Sequence, residues 1–92
     1  MKFRVIETAT TSQTALMVLE PGEASGPKEN EHAGSEQVLY LAQGELYAEI
    51  GDRKFTMKAG DSAIVPLDVP HRFENRAQSE AVTFNVYSPP AY

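Results

Sequence analysis

Ninety-two residues leave room for one small domain and a single core. The absence of cysteine excludes disulfides and thiolate metal sites, so stability has to come from the core, from a subunit interface or from a metal held by other ligands. A formal charge of −5 spread along the chain argues against the clustered Lys and Arg on which nucleic-acid and anionic-membrane partners depend.

The opening MKFRVIE has no long apolar core of the secretory type, and no later stretch approaches membrane-spanning length; a cytoplasmic protein is the expectation. Residues 2–8 alternate as a strand does, with Phe3, Val5 and Glu7 on one face, and residues 15–19 form an apolar run closed by Glu20-Pro21-Gly22. From 22 to 35 the chain is polar and rich in Gly, Glu and Pro, which predicts the one long loop. Residues 38–41 are β-forming, Gly44 is expected to begin a hairpin, residues 45–50 alternate, and Gly51-Asp52 predicts a tight turn. Residues 54–57, 62–65, 71–73 and 81–87 complete a set of about eight short strands, with no helical periodicity and no internal repeat. That pattern predicts a sandwich, jelly roll or closed barrel. The tail SPPAY cannot extend a strand; it is expected either to stay frayed or to be packed down by Tyr87 and Tyr92 on the barrel or a partner subunit.

The string GDSAIVPLDVPHRFEN is the most specific segment. Gly60-Asp61 opens a turn, residues 62–65 suit a strand, and Pro66 ends it because proline cannot donate to a ladder. Asp68 and Pro70 reverse the chain and deliver His71 to the next strand on the same face as Phe73, with Arg72 and Glu74 opposite. The only other histidine is His32, in EHAGSEQVLYLAQGEL.

Gly60, Pro66, His71 and Asn75 resemble the second motif of the cupins, which are small jelly-roll β-barrels, with Asp68 where the family usually has glycine. Aspartate tolerates left-handed backbone better than most residues, so the turn is expected to survive. The upstream string resembles the first cupin motif with two departures. Counting back from Gly44 puts Gln37 in the glutamate slot, His32 in the second histidine slot and Asn30 in the first; a shorter gap would choose Glu36 in place of Gln37. Strand alternation favours Gln37, which shares a face with Leu39 and Leu41, and a one-residue slip would reverse the choice. The resemblance covers about half of the chain by motif and the rest by strand pattern.

The resemblance implies an all-β cupin barrel over residues 1–92, forming a homodimer. It also implies a divalent metal (Fe, Ni, Mn, Cu or Zn) held by His32, Gln37 and His71, with Asn30 as a weaker fourth ligand. Two imidazoles and an amide oxygen suit such a metal and leave positions open for water or substrate. The expected activity is conversion of a small oxygen-rich molecule, either a sugar acid or another carbonyl compound, or its dioxygenation. The alternatives are a barrel that binds a small molecule without turnover, its two histidines simply hydrogen-bonded, and a structural or interaction role. Phe73, Phe84 and Val86 are expected to line the cavity, and Tyr40, Tyr47 and Phe55 to make core or dimer contacts. Residues 28–31 and Arg76 are read as surface, and Arg72 as pointing away from the barrel.

Overall fold

The computed structural model of the chain describes residues 1–30 and 32–92; Glu31 lies outside the described residues. Eight strands follow in order: β1 (Lys2–Thr8), β2 (Gln13–Leu19), β3 (Glu36–Gln43), β4 (Glu45–Ile50), β5 (Arg53–Lys58), β6 (Ser62–Val65), β7 (His71–Glu74) and β8 (Ala81–Ser88). No helix occurs among the described residues, and so none is long and apolar enough to cross a membrane. A five-stranded sheet in the order β1-β2-β8-β3-β6 faces a three-stranded sheet in the order β5-β4-β7, and every pairing is antiparallel. This is the all-β jelly-roll barrel that the strand spacing predicts.

Turn chemistry explains most of the connections. Gly51 and Asp52 close the β4–β5 hairpin between Ile50 and Arg53. Asp68 has a φ of 59° and keeps the left-handed turn before β7 without a glycine. Gly44 differs from its expected role, because β3 and β4 do not pair: it carries the chain from one sheet to the other at a φ of 88°. A Cβ there would lie 2.5 Å from the Glu80 carbonyl oxygen and 2.9 Å from Ala81 Cα, so the corner closes only over a residue without a side chain.

Strand alternation gives the barrel an interior that changes character along its length. Inward positions run Gln13, Ala15, Met17 and Leu19 on β2, Gln37, Leu39 and Leu41 on β3, and Tyr87, Asn85, Thr83 and Ala81 on β8. The register sets Gln37 and Gln13 opposite Tyr87 at one end and Leu19 opposite Ala81 at the other. Leu19, Leu41, Leu46 and Met57 pack the closed end as a dry core, where each buried side chain contributes about 1.5–3 kcal/mol. The polar residues collect at the open end.

The outward face of the five-stranded sheet is apolar. Val38 pairs with Ile64 and Val86, and Tyr40 with Phe84; Val38, Tyr40, Ile64 and Phe84 are all more than a third exposed. Phe84 and Val86 therefore point away from the cavity, contrary to the sequence expectation, and Thr83 and Asn85 take the inward positions. Tyr40 is exposed, Phe55 packs against the core, and Tyr47 lies under the Arg76 guanidinium at 3.7 Å.

Residues 22–30 are not a free flap at the barrel mouth. They run along the edge of β7, bridging Ala24 to Glu74 and Glu29 to His71, and satisfy main-chain groups of Phe73 and Asn75. Lys28 donates to the Gly51 carbonyl at 2.6 Å. The tail likewise packs on the barrel: Gln13 Oε1 accepts from the Ala91 and Tyr92 amides at 3.1 and 2.9 Å, and Gln13 Nε2 donates to the Tyr92 main-chain oxygen at 2.6 Å.

Candidate functional site

At the polar end of the barrel, β3, β7 and the segment before β3 bring three side chains together. His71 enters at the start of β7 from the Asp68 turn, Gln37 points inward from β3, and His32 precedes β3 in a turn closed by Ser35 N donating to the His32 carbonyl at 3.0 Å. All three are at most 5% exposed. The imidazole centroids lie 4.5 Å apart. Glu36 points outward from β3.

Hydrogen bonding fixes the orientation of each group. His32 Nδ1 faces the Ser35 carbonyl at 3.0 Å and His71 Nδ1 faces the Val69 carbonyl at 3.0 Å. A carbonyl can only accept, so each Nδ1 carries a proton and each Nε2 is turned toward the cavity. This arrangement, in which the far ring nitrogen is tied to a carbonyl, orients metal-binding imidazoles in general. Burial lowers the His71 pKa below the usual histidine value; the Val69 contact offsets this in part and the neighbouring His32 adds to it. His71 Nε2 therefore presents a lone pair.

Gln37 is held by a directional series of bonds. Thr83 Oγ1 lies 3.4 Å from the Met17 carbonyl and Asn85 Nδ2 3.4 Å from the Ala15 carbonyl; both carbonyls can only accept, so Asn85 Nδ2 is the donor in its 2.9 Å bond to Thr83 Oγ1. Asn85 Oδ1 must then accept from Gln37 Nε2 at 2.9 Å, which turns Gln37 Oε1 toward His32 Nε2 at 2.8 Å. Two lone-pair atoms thus face each other, with the His71 imidazole beside them, and the pairing calls for a cation or an extra proton. Two donors on one ion at about 2.1 Å sit about 3 Å apart at a right angle and about 3.4 Å apart in a tetrahedral site, so a shared metal requires the two atoms to part by a few tenths of an ångström. The donor set of two imidazoles and an amide oxygen also suits a divalent transition ion. Among the described residues, no group of three His, Cys, Asp or Glu converges anywhere.

Asn30 does not join this cluster. Its side chain is exposed and donates to Asp68 Oδ1 at 3.2 Å, and the same oxygen accepts from Gly34 N at 3.2 Å. Asp68 therefore pins the loop that carries His32, a role glycine in its place could not fill. Asn85 and Thr83, which orient Gln37, escaped the sequence reading; their signal was two polar residues at alternate positions of an otherwise apolar central strand.

A cavity of about 230 Å³ lies over the cluster. Its walls include His32, Gln37 and His71 together with Phe3, Met17, Phe73, Tyr87 and Tyr92. No Lys or Arg is among the described lining residues. Arg72 points outward as expected, donating to the Gly26 carbonyl and to Glu74.

Known proteins share this architecture and parts of this sequence. The chain is 32% identical over 73 residues to "Polyketide synthase CurC" of Streptomyces cyaneus, covering 79% of this chain and 46% of that protein. It is likewise 32% identical over 73 residues to "Protein SchB" of Streptomyces halstedii, covering 79% and 51%. The chain spans about half the length of these curated relatives. TT1209 from Thermus thermophilus superposes with a TM-score of 0.83 at 28% identity, covering 96% of this chain and 84% of that one. The Cupin_2 family model, described as "Cupin domain", matches residues 15–87, and the chain belongs to that family.

Proposed function

We propose that the chain is a small metal-dependent cupin that holds a divalent cation at His32, Gln37 and His71 and converts a small, uncharged carbonyl or enol compound in the cavity above them. The observation that carries this reading is the meeting of His32 Nε2 and Gln37 Oε1, 2.8 Å apart with both lone pairs committed inward, beside the buried His71. A bound divalent ion would polarise a carbonyl oxygen, and because the three side chains are neutral it would keep its full charge for that purpose. The chain itself keeps the site dry with Phe73 and Met17, holds both imidazoles by their Nδ1 protons, and locks the Gln37 amide through Asn85. The apolar rings in the lining favour carbonyl compounds of low polarity over polyhydroxylated sugar acids, whose hydroxyls would find few partners there. The relative named as a polyketide synthase supports a carbonyl-rich ligand.

The test is elemental analysis of the untagged protein and of His71→Ala. Near-stoichiometric metal that disappears in the variant is expected. An empty protein after incubation with Fe, Ni, Mn, Cu and Zn in turn would overturn the proposal. It would favour the second reading, a barrel that binds without turnover, in which His32 and Gln37 serve only as hydrogen-bonding groups of the interior. A homodimer across the outward face of the five-stranded sheet belongs to the same proposal. Val38, Tyr40, Ile64 and Phe84 form neighbouring uncharged register pairs there, which a second copy can meet about a two-fold axis. A monomeric mass in sedimentation would remove that part.

A further inference from the structure

The cavity wall is a connected series of rings. Phe3 and Tyr92 lie 4.8 Å apart between centroids, Tyr92 and Tyr87 5.0 Å, Tyr87 and His32 5.2 Å, His32 and His71 4.5 Å, and His71 and Phe73 6.1 Å. Each of these six side chains lines the same cavity. The rings are tilted or edge-on to one another, with interplanar angles from 39° to 78°, so they form walls and not one closed stack. Tyr92 is 55% exposed and marks the mouth. An apolar cavity of about 150 Å³ holds one benzene ring, so a volume of about 230 Å³ admits a larger, fused-ring molecule.

We infer that the cavity selects a flat, uncharged, ring-bearing ligand, and that Tyr92 is the residue that sets this preference. The ring grip stands on the cavity alone, whereas placing the ligand's oxygen at His32, Gln37 and His71 rests on the proposed function. Planar molecules gain edge and face contacts with Phe3, Tyr87 and Tyr92 that a globular molecule of equal volume cannot make. Covering the exposed part of Tyr92 adds apolar burial. The Tyr92 backbone is held by Gln13 through main-chain groups, so trimming the ring leaves the strap in place.

The experiment is calorimetric titration of the metal-stripped protein with three probes: 2-naphthol, which is flat and neutral; 1-adamantanol, which is neutral but globular; and galacturonate, which is acidic and polar. The expected result is that 2-naphthol binds most tightly, that Tyr92→Ala weakens it about 10-fold, and that Tyr92→Phe retains it. Equal or tighter binding of 1-adamantanol or galacturonate, or unchanged 2-naphthol affinity in Tyr92→Ala, would overturn the inference. The outcome is separable from the metal analysis. Tyr92-dependent 2-naphthol binding by a protein that never takes up metal would sustain this inference while the proposed function fails. Metal uptake without 2-naphthol binding would do the reverse.

Discussion

Replacing Asn85 by alanine probes the support beneath the site. Asn85 is fully buried on β8 and joins three elements, accepting from Gln37 on β3 at 2.9 Å, donating to Thr83 Oγ1 at 2.9 Å and facing the Ala15 carbonyl on β2 at 3.4 Å. The last contact is too long to contribute much. Removing the side chain leaves Gln37 Nε2 buried without an acceptor, which costs about 1–3 kcal/mol. The lost bond to Thr83 adds about 1 kcal/mol, and the Thr83 hydroxyl is left with the Met17 carbonyl at 3.4 Å, a contact as long as the one to Ala15. The expected destabilisation is therefore about 2–4 kcal/mol, read as a lower urea midpoint with an unchanged slope. In a domain of this size each kcal/mol moves the melting temperature by about 4–8 °C. The freed Gln37 amide can also rotate, so affinity for the proposed metal should fall about 10- to 100-fold. Thr83→Val, which removes only the far end of the series, should cost about 1 kcal/mol. A stability change in Asn85→Ala of less than about 0.5 kcal/mol, together with unchanged metal uptake, would refute the directional bonding on which the orientation of Gln37 rests.

Gly44→Ala should lose at least about 2 kcal/mol of stability, from left-handed strain plus a forced shift of the Glu80–Ala81 backbone; denaturation midpoints within error of wild type would contradict the closeness of that corner. Glu74 has its pKa lowered, first by the bond from Arg76 and then by that from Arg72. Its contribution is therefore complete above the unfolded value near 4.3 and lost as pH falls through the lower folded value, so Glu74→Gln should flatten the acid limb of stability below about pH 4.3. The effect is small and shrinks with salt because the pair is exposed, and an identical acid limb in low salt would count against it.

The scaffold was legible because its cues are local. Gly51-Asp52, Pro66 and the Asp68 turn punctuate runs whose alternation needs no tertiary information, and all eight strands appear where those runs lie. Gln37 could be placed on the inward face because Leu39 and Leu41 share its parity. On β8 the same rule misled. Val82, Phe84 and Val86 are the more apolar set, yet they face outward, while Thr83 and Asn85 face in to support Gln37. Hydrophobic parity assumes a dry interior, and it inverts where a barrel keeps polar groups inside and an apolar sheet face outside. Asn30 was beyond reach for a different reason: its place depends on Asp68, 38 residues away. The edge pairing of residues 22–30 with β7 depends on contacts between segments equally remote in sequence.

The Gln13 clasp has a dynamic consequence. The backbone of residues 91 and 92 is clasped by a side-chain amide that accepts twice and donates once, and none of these bonds belongs to a sheet ladder. Releasing them breaks three bonds at one point and leaves every strand pair intact. Opening of the Tyr92 side should therefore occur by local fluctuation, at a small fraction of the free energy needed to unfold the barrel. Exchange of the Ala91 and Tyr92 amides would then be fast beside that of β8, and the opening of this side would depend on the Gln13 clasp and the packing of the Tyr92 ring on Phe3 and Tyr87, separately from the strand pairing of the fold.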